Sequence, residues 1–144
     1  MICLYLSTET WDLVSAVIRW VSLCAESHVG FIDTSTMMTF SAKADGKGIA
    51  WRKLNKREKI LILKVPRCDE ALKVALTREG EPYGYLDILG MILHRNWLPM
   101  KGAICDVLVF WAFQQIGQPL LNHKYIPVEH LYPAHVLLSQ LIED

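Results

Sequence analysis

The sequence predicts a single α+β domain over residues 1–144, with an antiparallel sheet of about five strands and a buried helix packed on it. A chain of 144 residues that is 52% hydrophobic can bury a core without disulfides or metal ions. Short strand-forming segments separated by turn residues occupy the part before Pro66, and apolar residues at helical spacing follow it. These observations predict a sheet from the first half and helices mainly from the second half.

The strands are predicted from β-rich segments with alternating character. The first is ICLYLS, and four more follow: HVGFID, MMTFSA, GIAWRKL and KILILKVP. The breaks between these last four contain the turn-forming runs DTS, DGKG and NK. We therefore expect an antiparallel meander.

The helices are predicted from apolar spacing and end signals. Thr8 or Thr10 can cap a helix after the first strand, in which Trp11, Val14, Val17, Ile18 and Val21 recur at helical spacing. Two more helices are predicted in CDEALKVALTREG and YGYLDILGMILHRNW. Another runs from about Ala103 to Ile116 and is closed by Gly117 and Pro119, and a short helix ends the tail.

Charge and hydropathy exclude two classes of partner. Fifteen Lys and Arg balance fifteen Asp and Glu, so nucleic acid is not an expected partner. Mean hydropathy is +0.22, but the apolar stretch 11–24 is interrupted by Asp12 and Arg19 and is too short to cross a bilayer. The N-terminus lacks the pattern of a signal peptide, so we expect a cytoplasmic protein with no transmembrane segment.

Two residues stand where acyl-transfer chemistry needs them. Cys105 falls in the first turn of a strongly apolar helix, where unpaired N–H groups and the helix dipole stabilise a thiolate and an oxyanion. His28 begins a strand of the predicted sheet and can face that turn as a general base. Burial as an inert thiol and an ordinary structural histidine are the alternatives. Cys24 and His28 lack the further ligands of a zinc site, so neither a metal nor another cofactor is expected.

Four segments, in order, resemble a known family. SHVGFID with FSAKADGKGIAW, EPYGYLDIL, ICDVLVFWAFQQIG and LYPAHVLLS resemble segments of the circularly permuted papain-like hydrolases, the YiiX/YaeF branch of the NlpC-like superfamily. The resemblance covers about residues 2 to 140. It implies a permuted papain-like fold in which Cys105 is the nucleophile and His28 the general base.

The resemblance also implies supporting residues. Ser41 stands where the family often has a Glu that orients the histidine, and Asp33 is the other candidate for this role. The resemblance implies that Tyr83, in the segment EPYGYLDIL, helps to line the oxyanion site, and an amphipathic wall residue is the alternative for Tyr83. Asp106 follows Cys105 where the family usually has Ser, and its charge would oppose thiolate formation.

The expected activity is that of a cysteine hydrolase, an amidase or peptidase, or an enzyme that cleaves esters or thioesters. The substrate would be a peptide, a peptidoglycan fragment or an acyl-lipid. The compact size resembles phage-encoded versions, for which the virion or host cytoplasm would be the location. One alternative is a catalytically weak or inactive member that serves as a protein-interaction module, with Trp51 and Trp97 as candidate surface residues. The other is a lipid acyltransferase resembling lecithin retinol acyltransferase.

Overall fold

The structure is a computed structural model that describes residues 1–8, 28–56, 58–84, 105–121 and 133–143, together with positions 13, 16, 17 and 20. Most of the helix predicted after the first strand lies outside these residues. The same holds for residues 85–97 of the predicted helix YGYLDILGMILHRNW, which include Trp97. The described part is an α+β structure with a five-stranded antiparallel sheet, which confirms the predicted class.

The five strands fall close to the predicted segments. They are β1 (Ile2–Thr8), β2 (His28–Asp33), β3 (Met38–Lys43), β4 (Gly48–Lys53) and β5 (Lys59–Leu63). Alternation of apolar and polar side chains drives this agreement, because a strand presents successive residues to opposite faces.

The order of the strands differs from the predicted meander. The order is β4-β3-β2-β1-β5, so β5 pairs with β1 and not with β4. The connection between β4 and β5 crosses the sheet, and Leu54 at its start packs against a cluster of Cys3, Tyr5 and Ile32. Outside β4 lies the segment at residues 80–81, where Gly80 N–H donates to Ile49 O and Ile49 N–H donates to Glu81 O.

The segment outside β4 approaches very closely at Gly48. A Cβ atom there would lie 1.9 Å from Glu81 O, and the backbone has a φ of +63°. Glycine meets both demands, since it has no Cβ and tolerates positive φ. Gly48 therefore allows residues 80–81 to occupy the edge that the meander would have given to β5.

Within the described ranges 68–76 and 105–115, two α-helices pack on one face of the sheet. They are α1 (Cys68–Leu76) and α2 (Cys105–Gln115), and a 3₁₀ helix spans Pro133–Leu138. The predicted helices began or ended a few residues away, as helix ends often do. The ring centroids of Phe31 in β2 and Phe113 in α2 are 6.2 Å apart in a stacked arrangement, so α2 lies on β2. We call this side the helical face. It carries Leu4, Leu6, Val29, Phe31, Phe40, Ala42 and Ile49.

The opposite side, which we call the second face, is also buried. It carries Cys3, Tyr5 and Ile32, together with the polar residues Ser7, His28 and Ser41. Among the described residues, no helix is long and apolar enough to cross a membrane.

Candidate functional site

His28 and Ser41 meet on the second face. His28 opens β2 and is 4% exposed, and Ser41 in β3 is fully buried. The distance between His28 Nε2 and Ser41 Oγ is 2.9 Å, which is a hydrogen bond. The structure thus brings together two of the residues that the sequence singled out. The catalytic roles of His28 and Ser41 remain predictions.

Tyr5 is the third member of this group, and sequence reasoning missed it. Its hydroxyl donates to Ser41 Oγ at 3.3 Å, and its ring centroid is 5.8 Å from that of His28. Tyr5 pairs with Gly30 across β1 and β2, and a Cβ atom on Gly30 would lie 2.7 Å from Ser41 Cβ. The absence of a side chain at Gly30 therefore lets the phenol reach a strand that is not its neighbour. We call Tyr5, His28 and Ser41 the His28 group.

The surroundings of His28 favour a neutral ring. Burial is the largest cause that holds the pKa of His28 well below its ordinary value of 6.5. The nearby charges of Lys43 and Arg52 lower the pKa further, and Asp45 opposes them. A neutral imidazole is the form that accepts a proton, but the same surroundings make the resulting imidazolium costly.

Two ion pairs hold these charges in place. Lys43 Nζ lies 3.4 Å from Glu58 Oε1, and both side chains are nearly buried. Arg52 binds both carboxylate oxygens of Asp45 and donates to Ser41 O at 2.8 Å. Arg52 therefore fixes the backbone of Ser41 as well as placing a charge near His28.

Cys105 lies on the other side of the sheet. It is the first residue of α2, is 2% exposed and belongs to the apolar cluster of the helical face. Its sequence position in a helix's first turn agrees with the prediction. The His28 ring, by contrast, is turned toward Ser41 and Tyr5 on the second face. The structure does not gather the Cys105 side chain into the His28 group.

Cys105 and His28 nevertheless lie toward the same end of the sheet. The C-terminal end of α2 is fixed beside the residues after β5, since Arg67 donates to Ile116 O and Gln118 donates to Pro66 O. The C-terminal ends of β5 and β2 lie at the same end of the sheet, on either side of β1. Leu63 at the end of β5 pairs with Leu4, and Asp33 at the end of β2 pairs with Ile2. It follows that α2 begins, at Cys105, toward the end where β2 begins.

Asp106 is a buried carboxyl beside the candidate nucleophile. It is 1% exposed, and its Oδ1 accepts from Val107 N–H at 2.8 Å. Within the described part of the chain, Oδ2 is buried and has no hydrogen-bond partner. Burial raises the pKa of Asp106 to about 7. The group therefore carries less negative charge at neutral pH than the sequence suggested, which weakens its expected opposition to a thiolate.

Asp33 has a local role at the far end of β2. Its carboxylate accepts hydrogen bonds from Ser35 N–H, the Ser35 hydroxyl and the Thr36 hydroxyl. These bonds hold its pKa below the ordinary value of 3.8. The carboxylate thus closes the turn between β2 and β3, while Ser41 takes the place beside His28.

Tyr83 packs on the helical face. It is partly buried against the cluster that contains Cys105 and follows the segment at the outer edge of β4. That position is away from the His28 group. A role for Tyr83 at an oxyanion site stays a prediction.

The described structure provides internal comparisons for Cys105. Cys3 and Cys68 are buried thiols, and burial raises the pKa of Cys68 to about 12. Cys68 also opens a helix, so the start of a helix alone does not make a thiol acidic. Among the described residues, no three His, Cys, Asp or Glu side chains are grouped as metal ligands.

No model of a known protein family matches this chain, and no curated protein matches it either.

Proposed function

We propose that this protein is a cysteine hydrolase of the permuted papain-like type, with Cys105 as nucleophile and His28 as general base. The observation that carries the proposal is the hydrogen bond of 2.9 Å between His28 Nε2 and Ser41 Oγ, at the sheet end toward which α2 begins. The bond leaves Nδ1 as the ring nitrogen that faces away from Ser41. Acyl transfer requires such an orienting bond on the base, together with a nucleophile at the other ring nitrogen.

The reaction would cleave an amide, an ester or a thioester. His28 takes the proton of the Cys105 thiol, and the thiolate attacks the carbonyl carbon. The N–H groups of the first turn of α2 stabilise the oxyanion. The leaving group departs with the proton from His28, and an acyl-enzyme remains. Water, deprotonated by His28, then releases the acid and restores the thiol.

A specific observation favours a second candidate, a non-catalytic interaction module. The His28 ring lies on the second face, whereas Cys105 lies in the core of the helical face. The charges of Lys43 and Arg52 also disfavour the imidazolium that catalysis needs. In such a module the His28 group would fix the sheet and take no part in chemistry.

Turnover of simple acyl donors separates the two candidates. A hydrolase should release product from a para-nitrophenyl ester, a thioester or a peptide anilide, and Cys105→Ala and His28→Ala should abolish it. Ser41→Ala should lower kcat/KM about 2- to 10-fold, since it removes a neutral hydrogen bond worth about 0.5–1.5 kcal/mol.

Cys68→Ala is the matched control for Cys105→Ala. Both cysteines are the first residue of a helix and are buried in the same cluster, but Cys68 lies near the other end of the sheet. Its replacement should leave the rate unchanged. No turnover of any of the three donor types by the folded protein would move the interaction module ahead.

A further inference from the structure

We propose that Tyr5 is a positioning residue that acts on His28 through the Ser41 hydroxyl. The catalytic meaning of this inference rests on the proposed function, but the contacts themselves do not. Tyr5 and Ser41 are fully buried, and the three side chains form one connected series across β1, β2 and β3.

The hydroxyl of Ser41 links the phenol to the ring. A serine hydroxyl has one hydrogen to donate and two lone pairs that accept. Tyr5 O–H donates to one lone pair of Ser41 Oγ, and the other lone pair accepts from His28 Nε2–H. This direction places the ring proton of neutral His28 on Nε2 and leaves the lone pair of Nδ1 to act as the base.

The bond from Tyr5 weakens Ser41 as an acceptor for the charged ring. Imidazolium donates from Nε2 more strongly than neutral imidazole does, so it gains more from a good acceptor. Because Tyr5 O–H already donates to Ser41 Oγ, this oxygen accepts the charged bond less well. Tyr5 therefore stabilises the neutral ring. Burial raises the pKa of Tyr5 to about 12, so the phenol keeps its hydrogen throughout the neutral range.

Other groups also face the ring and act in both wild type and variant. Lys43 on β3 and Arg52 on β4 favour neutral His28, and Asp45 in the turn between them opposes this. Lys43 is itself paired with Glu58. The Tyr5→Phe substitution leaves all four charges in place, so a change in His28 can be assigned to the phenolic hydroxyl.

The test is a nitrogen-15 NMR titration of the histidine rings in wild type, Tyr5→Phe and Ser41→Ala. His28→Gln identifies the His28 signals. We expect wild type to show the Nε2–H tautomer. In Tyr5→Phe, the Ser41 hydroxyl can turn and donate to Nε2, so the population of the Nδ1–H tautomer should increase. The midpoint of the His28 titration should move upward, toward 6.5.

Ile32→Val is the matched control, because Ile32 packs in the same cluster as Tyr5 and its shortening removes no polar atom. It should leave the tautomer and the midpoint unchanged. The inference is overturned if Tyr5→Phe leaves both unchanged, or if Ile32→Val shifts them equally.

The activity assay gives an independent result. If the protein is a hydrolase, the acidic limb of its kcat/KM profile should shift to higher pH in Tyr5→Phe, because that limb reports the base in the free enzyme. A shifted NMR titration without any turnover would support the role of Tyr5 and count against the proposed function. Turnover with an unshifted NMR titration would support the proposed function and count against the role of Tyr5.

Discussion

Asp106 shows how the environment of one residue alters its expected effect. A carboxylate directly after the nucleophile should oppose a thiolate, yet this carboxyl is buried with Oδ2 unsatisfied among the described residues. Burial without compensating donors favours the neutral acid. With a pKa of about 7, Asp106 is only partly ionised at neutral pH and places less than a full negative charge beside Cys105.

This environment predicts that Asp106→Asn is more stable than wild type and that the difference in free energy of unfolding grows as pH rises. The ordinary pKa of Asp106 is 3.8 and the folded state raises it to about 7, so the folded state binds more protons between these values. Wild-type stability should therefore fall as pH increases through this window, by roughly 2–4 kcal/mol from this group. Asparagine does not titrate, so the advantage of the variant should be small at pH 4 and largest near pH 7.

Denaturant unfolding at several pH values measures this advantage, with Asp69→Asn as control. Asp69 follows Cys68 in α1 as Asp106 follows Cys105 in α2, but Asp69 is exposed. We expect no comparable pH-dependent advantage in the control. An Asp106→Asn variant that is equally destabilised at every pH would show that the carboxyl is not a buried acid.

At the scale of the element, β2 depends on its one glycine. Gly30 lies between Tyr5 and Ser41, and an added Cβ would also lie 2.8 Å from Phe40 O. Because Gly30 has no side chain, the side chains of Tyr5, His28 and Ser41, which come from three different strands, can meet beside it. This explains why Tyr5 was not found from the sequence, since its partner lies on a strand that is not its neighbour. A glycine two residues after a strand's first histidine was the available signal.

The close contacts around Gly30 predict that Gly30→Ala disrupts the His28 group. Overpacking at this position should cost about 1–3 kcal/mol and separate Tyr5 from Ser41. Unfolding experiments together with the NMR signals of His28 should show both effects.

Gly80→Ala is the control, because its Cβ meets nothing within 4 Å although its φ is +86°. It should lose stability through backbone strain alone and leave the His28 signals unchanged. Unchanged His28 signals in Gly30→Ala would contradict the close contact.

At the scale of the whole molecule, local patterns predicted the elements better than their arrangement. Alternation and turn residues located all five strands, because these signals lie within each segment. The pairing of β5 with β1 depends on a connection that crosses the sheet, with Leu54 at its start packed against Cys3, Tyr5 and Ile32. It also depends on residues 80–81 lying outside β4. Neither contact is local, so the meander prediction was wrong for β5.

In the candidate site, too, contacts between neighbouring strands were predicted better than contacts between distant elements. The closeness of His28 and Ser41 follows from neighbouring strands, and the sequence predicted it. The relation of Cys105 to His28 depends on how a distant helix lies on the sheet. The helix runs in the direction that the proposal requires, but the two side chains lie on opposite faces. The central claim, that Cys105 is a nucleophile activated by His28, therefore needs a test that depends on no particular substrate.

The most direct measurement is competitive alkylation with iodoacetamide near pH 6, followed by peptide mapping of all four cysteines. The account predicts that Cys105 is modified first and that His28→Ala slows its modification. Cys3 and Cys68, whose pKa values burial raises, should react only when the protein unfolds. Preferential labelling of Cys3, Cys24 or Cys68, or a Cys105 rate that His28→Ala leaves unchanged, would contradict it.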